Sequence, residues 1–295
     1  MRIAHVTDVH WQTAPRLADL RQPRRILGTA NLYLRGRKSR FERAVQTRLV
    51  AHLESLKPDM LLVTGDLTAQ ALTPEFEIAK EALLPALSGC PSLVIPGNHD
   101  AYCHDAVKEK RFERHFKPWM HPYKSIARLD HGEVTVLGLD PNRPLLVRAS
   151  GLIPEVQLSD LRDALQEPDL LNRCVVLALH YPIVDRRGDV YDGESHGLLN
   201  ARALIEILAE ADVKPAWVVH GHEHHGYQTN IHAKGTLIPS FDCGSSGTAF
   251  RPDLGRRAAM NVYNVEGRNL TSVERYLDQG AGFSLEEGGP YATGR

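Results

Sequence analysis

The sequence predicts an α/β fold, and three features of the chain lead to that prediction. Short apolar runs typical of buried strands recur at residues 3–6, 60–63, 93–95, 134–139, 174–179 and 217–219. Helix-like stretches separate several of these runs, and the later strands are joined by turn residues. Alternation of strands and helices along a chain is typical of α/β domains.

Three stretches between the strands have helical character. Residues 41–56 carry apolar side chains close to the helical period, at Phe41, Val45, Leu49, Leu53 and Leu56. Thr73 followed by Pro74 predicts a capped helix start, and a third helix is expected at 201–208. Beyond it, shorter strands at 236–238, 260–265 and 270–276 alternate with Gly, Asn and Asp turns, which predicts antiparallel pairing.

The composition of the chain restricts the class of protein to which it can belong. With 295 residues and 42% hydrophobic side chains, the chain can bury a substantial core, and a net charge of -1 argues against a surface that is basic overall. The four cysteines are far apart and form no CxxC pair, so we expect reduced thiols. The first residues lack the features of a secretory signal, and no apolar run could span a bilayer. The predicted compartment is the cytoplasm, with peripheral contact at the inner membrane surface as a further option.

We expect a single domain over residues 1–277, with a basic insertion at 16–40 and a disordered tail at 278–295, where apolar residues are few. Residues 16–40 contain eight Arg or Lys against one acid. Three interpretations of this segment stay open: a solvated helical lid, a mobile element that lies on anionic lipid, or a cap that grips substrate phosphates.

Side chains able to bind metals follow the predicted strands: Asp8 and His10, Asp66, Asn98 and His99, His180, and His222 with His224. Strand ends are where α/β proteins usually build their sites. In extended backbone, residues two apart point to the same side, so Asp8 with His10 and His222 with His224 could each present two ligands to one place. Gly65, Gly97 and Gly221 precede three of these positions and permit close backbone approach.

The charge of this set favours an anionic substrate. Two carboxylates supply -2 and the other ligands are neutral, so two divalent ions would leave the site about +2. Paired metals about 3.5–4 Å apart can hold phosphate oxygens and acidify a water molecule. Mixed nitrogen and oxygen ligands suit Mn, Fe, Zn or Co better than Ca.

These motifs, in their order and spacing, resemble the five signature blocks of the calcineurin-like metallophosphoesterases. The blocks are Asp8-x-His10, Gly65-Asp66, Gly97-Asn98-His99-Asp100, His180 and Gly221-His222-x-His224. They span residues 8 to 224, most of the chain. The resemblance implies a four-layer αββα sandwich of two mixed β-sheets flanked by helices, with a dinuclear site at the strand ends.

The resemblance also implies residue roles. It assigns Asp8, His10, Asp66 and His224 to one metal ion, and Asn98, His180, His222 and the shared Asp66 to the other, with Mn, Fe or Zn as the ions. His99 approaches the substrate, where a protonated imidazole would stabilise the phosphoryl group or protonate the leaving alkoxide. Asp100 orients His99 or its backbone turn. The catalytic set is therefore His99, Asp66 and Asp100. His5, His220 and His225 are expected to pack or to lie outside the ligand set.

Two differences from the family pattern argue against two of its subfamilies. Ala69 stands where purple acid phosphatases carry a metal-binding tyrosine, and Gly65-Asp66-Leu67-Thr68 lacks the arginine-containing extension of protein Ser/Thr phosphatases. The chain looks more like the bacterial phosphodiesterases, including class III cyclic-nucleotide phosphodiesterases and lipid-precursor pyrophosphate hydrolases.

The predicted reaction is hydrolysis of a phosphodiester or pyrophosphate by metal-activated hydroxide. The expected substrate is a nucleotide or nucleotide-linked phosphoester, and nucleic acid is less favoured. A phosphomonoesterase and a non-catalytic metal-binding scaffold at the membrane are the alternatives. Tyr181 and the loop 185–196 either contact substrate or are simply solvated.

Overall fold

The computed structural model describes residues 1–34, 37–144, 149–191 and 197–292, with side chains for all of these except 31–34, 37 and 38. The strands are β1 Arg2–Val6, β2 Met60–Val63, β3 Ser92–Val94, β4 Pro122–Tyr123, β5 Ile126–His131, β6 Val134–Gly138, β7 Cys174–Ala178, β8 Trp217–His220, β9 Tyr227–Ala233, β10 Thr236–Asp242, β11 Ala259–Glu266, β12 Asn269–Asp278 and β13 Phe283–Leu285. The α-helices are α1 Pro23–Leu34, α2 Arg43–Leu56, α3 Thr73–Gly89, α4 His104–Lys108, α5 Arg111–Phe116, α6 Glu155–Ala164 and α7 Ala201–Glu210.

Two mixed sheets form the centre of the fold. The first has the order β13-β12-β11-β1-β2-β3, in which β1, β2 and β3 are parallel and β11 to β13 are antiparallel. The second has the order β4-β5-β6-β7-β8-β10-β9, with β6, β7, β8 and β10 parallel. The parallel strands of both sheets are central, and antiparallel pairs flank them.

Successive side chains of each central strand point to opposite faces of its sheet, which explains the layers of the fold. In β7, Val175 and Leu177 contact the core beneath α6 and α7, whereas Val176 belongs to the core between the sheets. In β2, Leu61 faces the core beneath α2 and α3, whereas Leu62 faces the other sheet. Strands buried on both faces read as continuous apolar runs, which is why the sequence identifies them. The predicted four-layer sandwich of two sheets flanked by helices is confirmed.

The predicted elements agree with the structure to within a few residues, with one correction at a helix start. Helix α3 begins at Thr73, so the N-cap position is Leu72 and not Thr73. The buried carboxylate of Glu75 accepts hydrogen bonds from the backbone amides of Leu72 and Gln70. The Glu75 side chain therefore satisfies backbone amides on the N-terminal side of the helix. Antiparallel pairing late in the chain is confirmed by β9 with β10 and by β11 with β12.

The predicted disorder of the tail is wrong for residues 278–292. Strand β13 pairs with β12, and Glu286 is buried against the equally buried guanidinium of Arg275 at 3.0 Å. Asp278 is also buried and accepts two hydrogen bonds from Arg48 of α2. Because of these charged residues, the tail has the sequence of a solvent-exposed segment. In the folded protein, however, each of them forms an ion pair. Residues 293–295 lie outside the described residues.

The basic segment 16–40 is partly built into the domain. Arg25 of α1 is fully buried and binds both carboxylate oxygens of Asp105, at 3.0 and 3.2 Å. It therefore cannot contact an outside anion, in contrast to the expectation that the segment is a mobile basic element throughout. The side chains of Arg35, Arg37 and Lys38 lie outside the described residues. Within the described parts of the chain, no helix combines the length and apolarity needed to cross a bilayer.

Candidate metal centre

The predicted ligand residues lie where parallel strands of both sheets end. Asp8 and His10 follow β1, Asp66 follows β2, Asn98 follows β3, His180 follows β7, and His222 and His224 follow β8. The expectation that the i,i+2 pairs are extended is wrong. Asp8, His10, Asp66, His222 and His224 all have positive φ, between 52° and 80°. Left-handed backbone at non-glycine residues costs free energy and clusters at functional sites.

Glycines allow the two sheets to bring these loops together. A Cβ atom at Gly65, which has φ 94°, would overlap the backbone of Gly97, and one at Gly221 would overlap the side chain of Asp8. Since any larger residue would push the loops apart, glycine is required for this close approach, as the sequence predicts.

One group of ligand atoms surrounds a single point. Asp8, His10, Asp66 and His224 each offer an oxygen or nitrogen atom, and these atoms all lie within 4.8 Å of one another. Nε2 of His224 lies 2.9 Å from Oδ1 of Asp8 and 3.2 Å from Nε2 of His10. Asp8, His10 and Asp66 are buried, so the site is shielded from bulk water on its inner side.

A second group lies beside the first. Oδ1 of Asn98 is 3.1 Å from Nε2 of His180 and 2.8 Å from Nδ1 of His222. Asp66 is close to both groups, because its Oδ2 atom lies 3.6 Å from Nε2 of His10 and 3.4 Å from Nε2 of His180. The structure thus brings all seven predicted metal-binding residues together, with the Asp66 carboxylate between the two groups.

Backbone carbonyls fix the orientation of the inner imidazoles. Nδ1 of His10 lies 3.2 Å from the carbonyl oxygen of Thr68, and Nδ1 of His180 lies 2.8 Å from that of Thr64. When Nδ1 donates to these carbonyls, the Nε2 lone pair of each ring is turned toward the group. Hydrogen bonds of this kind are typical of metal-binding histidines.

The carboxylates are held ionised. Burial opposes the charge on Asp8, but the imidazoles of His224 and His10 outweigh it and hold the pKa of Asp8 well below its usual range. Burial is likewise outweighed at Asp66, where His180 and His99 lower the pKa of the carboxyl. Burial lowers the pKa of His222 to about 3, so this ring is neutral. Burial also opposes the charge on His180, but Asp66 raises its pKa to about 10, so a metal ion would displace that proton.

The residues fit the implied metal ions. The donor set consists of carboxylate and amide oxygens and imidazole nitrogens, which divalent first-row metals accept. The atoms converge from five strand ends and are supported by carbonyl contacts behind the rings. The left-handed backbone at five of these positions shows that the fold maintains the arrangement at a conformational cost.

His99 lines the cleft beside this cluster. Its Nδ1 lies 2.6 Å from the carbonyl oxygen of Ala69, and its backbone amide donates to Oδ1 of Asp66. Burial is the main reason that the pKa of His99 is lowered, to about 4, and the ring is neutral at neutral pH. The tautomer that donates to Ala69 leaves the Nε2 lone pair free. This geometry makes Nε2 a hydrogen-bond acceptor in the free cleft, in contrast to the protonated ring expected from the resemblance.

Asp100 lies beneath the loops and does not line the cleft. Its carboxylate accepts hydrogen bonds from the backbone amides of Gly97, Leu67 and Thr68, and from the Thr68 hydroxyl. Of the two roles expected for Asp100, the contacts match orientation of the backbone turn. They join the loop that carries Asp66 to the loop that carries Asn98 and His99. These contacts are the ones expected of a positioning residue.

The cluster forms the floor of a cleft of about 750 Å³. The walls include Phe41, Tyr102 and Tyr191, together with Arg40, Arg186 and Arg187. Asp185 and Tyr191 of the predicted loop line this cleft, whereas residues 192–196 lie outside the described residues. Tyr181 is buried and packs on His222, with ring centroids 4.3 Å apart.

Three residues near the site were not identified as site residues from the sequence. Phe41, expected in a helix, precedes α2 and packs on the His10 ring at a centroid distance of 4.2 Å. Tyr102 stacks on His99. Gln46 donates to the carbonyl oxygens of Val9 and His10. None of the three lies in a motif.

The histidines excluded from the ligand set are placed as expected. His5 is buried, with Nε2 2.8 Å from the hydroxyl of Thr64, and His220 is buried next to Ser240 at 3.1 Å. His225 is exposed at the edge of the cleft. The four cysteines are free thiols.

Comparisons with known proteins agree with this site. The family model for calcineurin-like phosphoesterases matches residues 1–226. A probable glycerophosphodiester phosphodiesterase of Arcobacter nitrofigilis is 30% identical over 140 residues, which is 46% of this chain and 46% of that protein, so the match spans about half the length of that relative. A probable cyclic nucleotide phosphodiesterase of Synechococcus sp. (strain WH7803) is 28% identical over 276 residues, or 88% of this chain and 92% of that protein.

Among solved structures, the purple acid phosphatase PPD1 from yellow lupin seeds superposes with a TM-score of 0.59 at 12% identity. The match covers 97% of this chain and 52% of the phosphatase. At this identity the likeness shows the fold alone, and it supports the two-sheet sandwich. With the family model matching well over half of the chain, this protein belongs to the calcineurin-like phosphoesterases.

Proposed function

We propose that this protein is a dinuclear metal-dependent hydrolase of a phosphodiester or pyrophosphate bond, acting on a nucleotide or nucleotide-linked substrate. The observation that carries the proposal is the position of Asp66, whose Oδ2 atom lies within 3.6 Å of an imidazole nitrogen from each of the two ligand groups. A carboxylate in that position is suited to serve two ions at once. Mn, Fe or Zn are the ions that the donor set favours.

In the proposed centre, Asp8, His10 and His224 would hold one ion, Asn98, His180 and His222 would hold the other, and Asp66 would serve both. Bound divalent ions supply Lewis acidity toward phosphoryl oxygens and lower the pKa of a water molecule. His99 lies at the side of the cleft, where its Nε2 atom can take up and release a proton during the reaction. Asp100 keeps the two loops in register, so that Asp66 and Asn98 stay opposite each other.

The walls of the cleft support a substrate larger than a simple phosphate. A volume of about 750 Å³ is in the range of pockets that hold drug-sized or nucleotide-sized ligands. Phe41, Tyr102 and Tyr191 offer aromatic faces. The guanidiniums of Arg186 and Arg187 form no ion pair with any residue that the structure describes, although Arg186 is close enough to affect the pKa of Glu223. Free guanidiniums beside a metal cluster are suited to a second anionic group.

The diester preference has independent support. Both relatives in the comparison are named as phosphodiesterases, one for glycerophosphodiesters and one for cyclic nucleotides. Neither name decides the substrate of this chain. The ligand residues themselves do not distinguish a diester from a monoester, because they would hold metal ions, and metal ions bind phosphoryl oxygens and not their substituents.

Parallel assays with bis-p-nitrophenyl phosphate and p-nitrophenyl phosphate after reconstitution with Mn test the proposal. Faster turnover of the diester supports it, and faster turnover of the monoester favours a phosphomonoesterase. A panel of cyclic nucleotides, dinucleotides, nucleic acid and lipid-linked pyrophosphates then defines the substrate class. If metal-loaded protein hydrolyses none of them, the non-catalytic scaffold is the better reading.

The arginine pair provides a sharper test of substrate size. Arg186→Ala with Arg187→Ala should raise KM for a nucleotide pyrophosphate by on the order of tenfold or more, because hydrogen bonds to charged groups are lost. The KM for the small chromogenic diester should rise far less. Equal effects on both substrates would mean that the arginines do not contact a second anionic group.

A further inference from the structure

Helix α1 has a buried face and an exposed apolar face. Arg25 and Gly28 are buried against the domain, whereas Ile26 is 50% and Leu27 is 58% exposed. Residues 25 and 28 are one turn apart, so 26 and 27 necessarily point away from that contact. Leu17, in the turn before the helix, is 89% exposed. We call Leu17, Ile26 and Leu27 the apolar triad.

Packing on the other side of the helix imposes this exposure. The guanidinium of Arg25 binds Asp105 with two hydrogen bonds and also donates to the carbonyl oxygen of Asp19, 3.0 Å away. The contact with Asp19 ties the turn that carries Leu17 to the start of α1. At Gly28 the helix lies against Tyr102 with no space for a Cβ atom. The apolar triad therefore belongs to an anchored helix, and the protein itself leaves it uncovered.

Positive charge surrounds the triad. Arg16 and Arg21 are exposed, and neither guanidinium forms an ion pair with a described residue. The one acid in residues 16–40 is Asp19, whose carboxylate accepts a hydrogen bond from the backbone amide of Arg16. Exposed leucine and isoleucine flanked by arginine is the pattern of elements that lie at a membrane interface, where apolar side chains enter the headgroup region and cations pair with anionic lipid.

We propose that the apolar triad, with Arg16 and Arg21, docks this protein on an anionic phospholipid surface. Gly28, on the opposite side of the same helix, lines the cleft. Docking would therefore hold one edge of the cleft close to the bilayer. The surface is separate from the proposed metal ligands, so its test does not depend on the proposed catalytic function.

Sedimentation with vesicles tests the proposal. The probes are phosphatidylcholine vesicles containing phosphatidylglycerol and vesicles of phosphatidylcholine alone, each at low and high salt. The full chain should bind the anionic vesicles, and salt should weaken binding because a Debye length falls from about 30 Å at 0.01 M to about 8 Å at 0.15 M. Replacing the triad by Leu17→Ser, Ile26→Ser and Leu27→Ser should weaken binding by about tenfold or more.

A control removes three other exposed apolar side chains: Val156→Ser, Leu237→Ser and Leu285→Ser, at 58%, 56% and 54% exposure, against 89%, 50% and 58% in the triad. It should bind like wild type. Arg16→Gln with Arg21→Gln should remove most of the preference for anionic vesicles. Circular dichroism shows that each variant is folded.

Two results would overturn the proposal. One is that wild type fails to bind anionic vesicles at low salt, and the other is that the triad variant binds as well as the control. A dimer in size-exclusion chromatography that the triad variant abolishes, without vesicle binding by wild type, would assign the same face to contact between two copies of the chain.

Discussion

Gly28 of α1 lies so close to Tyr102 that a Cβ atom at position 28 would overlap the Tyr102 hydroxyl and ring. Tyr102 stacks in turn on His99, with ring centroids 5.3 Å apart and planes 25° from parallel. Arg24 packs over the same tyrosine ring at 4.5 Å. The basic segment is thereby joined to the side of the cleft that carries His99.

Gly28→Ala tests this contact. In an exposed helix the change would stabilise the protein by about 1 kcal/mol through helix propensity. Here we expect a lower unfolding temperature or a lower kcat, because the helix or Tyr102 must move. Gly89→Ala is the control, since a Cβ atom at the end of α3 meets nothing within 4 Å. Adding Tyr102→Ala should make the two changes less than additive. A Gly28→Ala protein with wild-type stability and activity would contradict the close packing.

Asp66→Asn should remove activity and most bound metal, because one carboxylate lies beside both ligand groups. Elemental analysis should show the metal content falling from two ions per chain toward one or none. The control is Glu223→Gln, which changes a carboxylate of the same cleft that lies outside the ligand cluster. Its metal content should stay near that of wild type. Full metal content in Asp66→Asn would end the dinuclear proposal.

His99→Ala should lower kcat by about 10²–10⁴-fold, the range for loss of a positioned proton-transfer group. The metal content should stay near wild type, because the His99 ring contacts the Ala69 carbonyl, only its backbone amide contacts the Asp66 carboxylate, and the ring is not in the ligand cluster. Steady-state kinetics and elemental analysis on the same sample separate the two effects. Loss of metal would make His99 a ligand and overturn its proposed role.

Glu286→Gln should lower the free energy of unfolding by about 3–5 kcal/mol, because it leaves the buried Arg275 without its carboxylate partner. Urea unfolding measures the difference. Glu287→Gln is the matched control, since the neighbouring glutamate is exposed and should cost little. Equal effects of both changes would mean that the end of the chain is not packed as the structure shows.

Glu75 predicts a pH dependence of stability. Burial raises its pKa from 4.5 to about 7, although the amides of Gln70, Leu72 and Thr13 oppose the shift. The folded protein therefore holds the proton more tightly than the unfolded chain. The stability that this proton contributes is fully present below pH 4.5 and is lost as the pH rises to about 7.

The shift in pKa of Glu75 corresponds to roughly 3 kcal/mol at most. Glu75→Gln removes the titration, so the stability of wild type relative to the variant should fall as the pH rises over that window. Urea unfolding of both proteins at several pH values measures this. A constant difference would show that Glu75 does not titrate with a raised pKa.

The sequence by itself determined the central strands and the ligand set. Runs such as 60–63 and 174–179 are apolar at every position because both faces of the strand are buried, and this needs no partner to be recognised. Asp8, Asp66, Asn98, His180 and His222 were identifiable because each follows such a run within a short motif. Position at the end of a strand is a property of the local sequence, so it can be recognised without knowledge of the tertiary structure.

Only the tertiary structure decided how those residues face one another. The left-handed backbone at Asp8 and His10 replaces the extended pairs expected from spacing, because loops from two different sheets must meet at one point. Asp100 belongs to the loop contacts and not to the cleft for the same reason. Phe41 packs on His10 and Tyr102 stacks on His99, and the sequence pattern indicates neither contact. Glu286 forms a buried ion pair with Arg275, although the sequence around Glu286 is typical of a polar tail. These contacts join separate loops and strands, so their energy exists only once those segments are packed together.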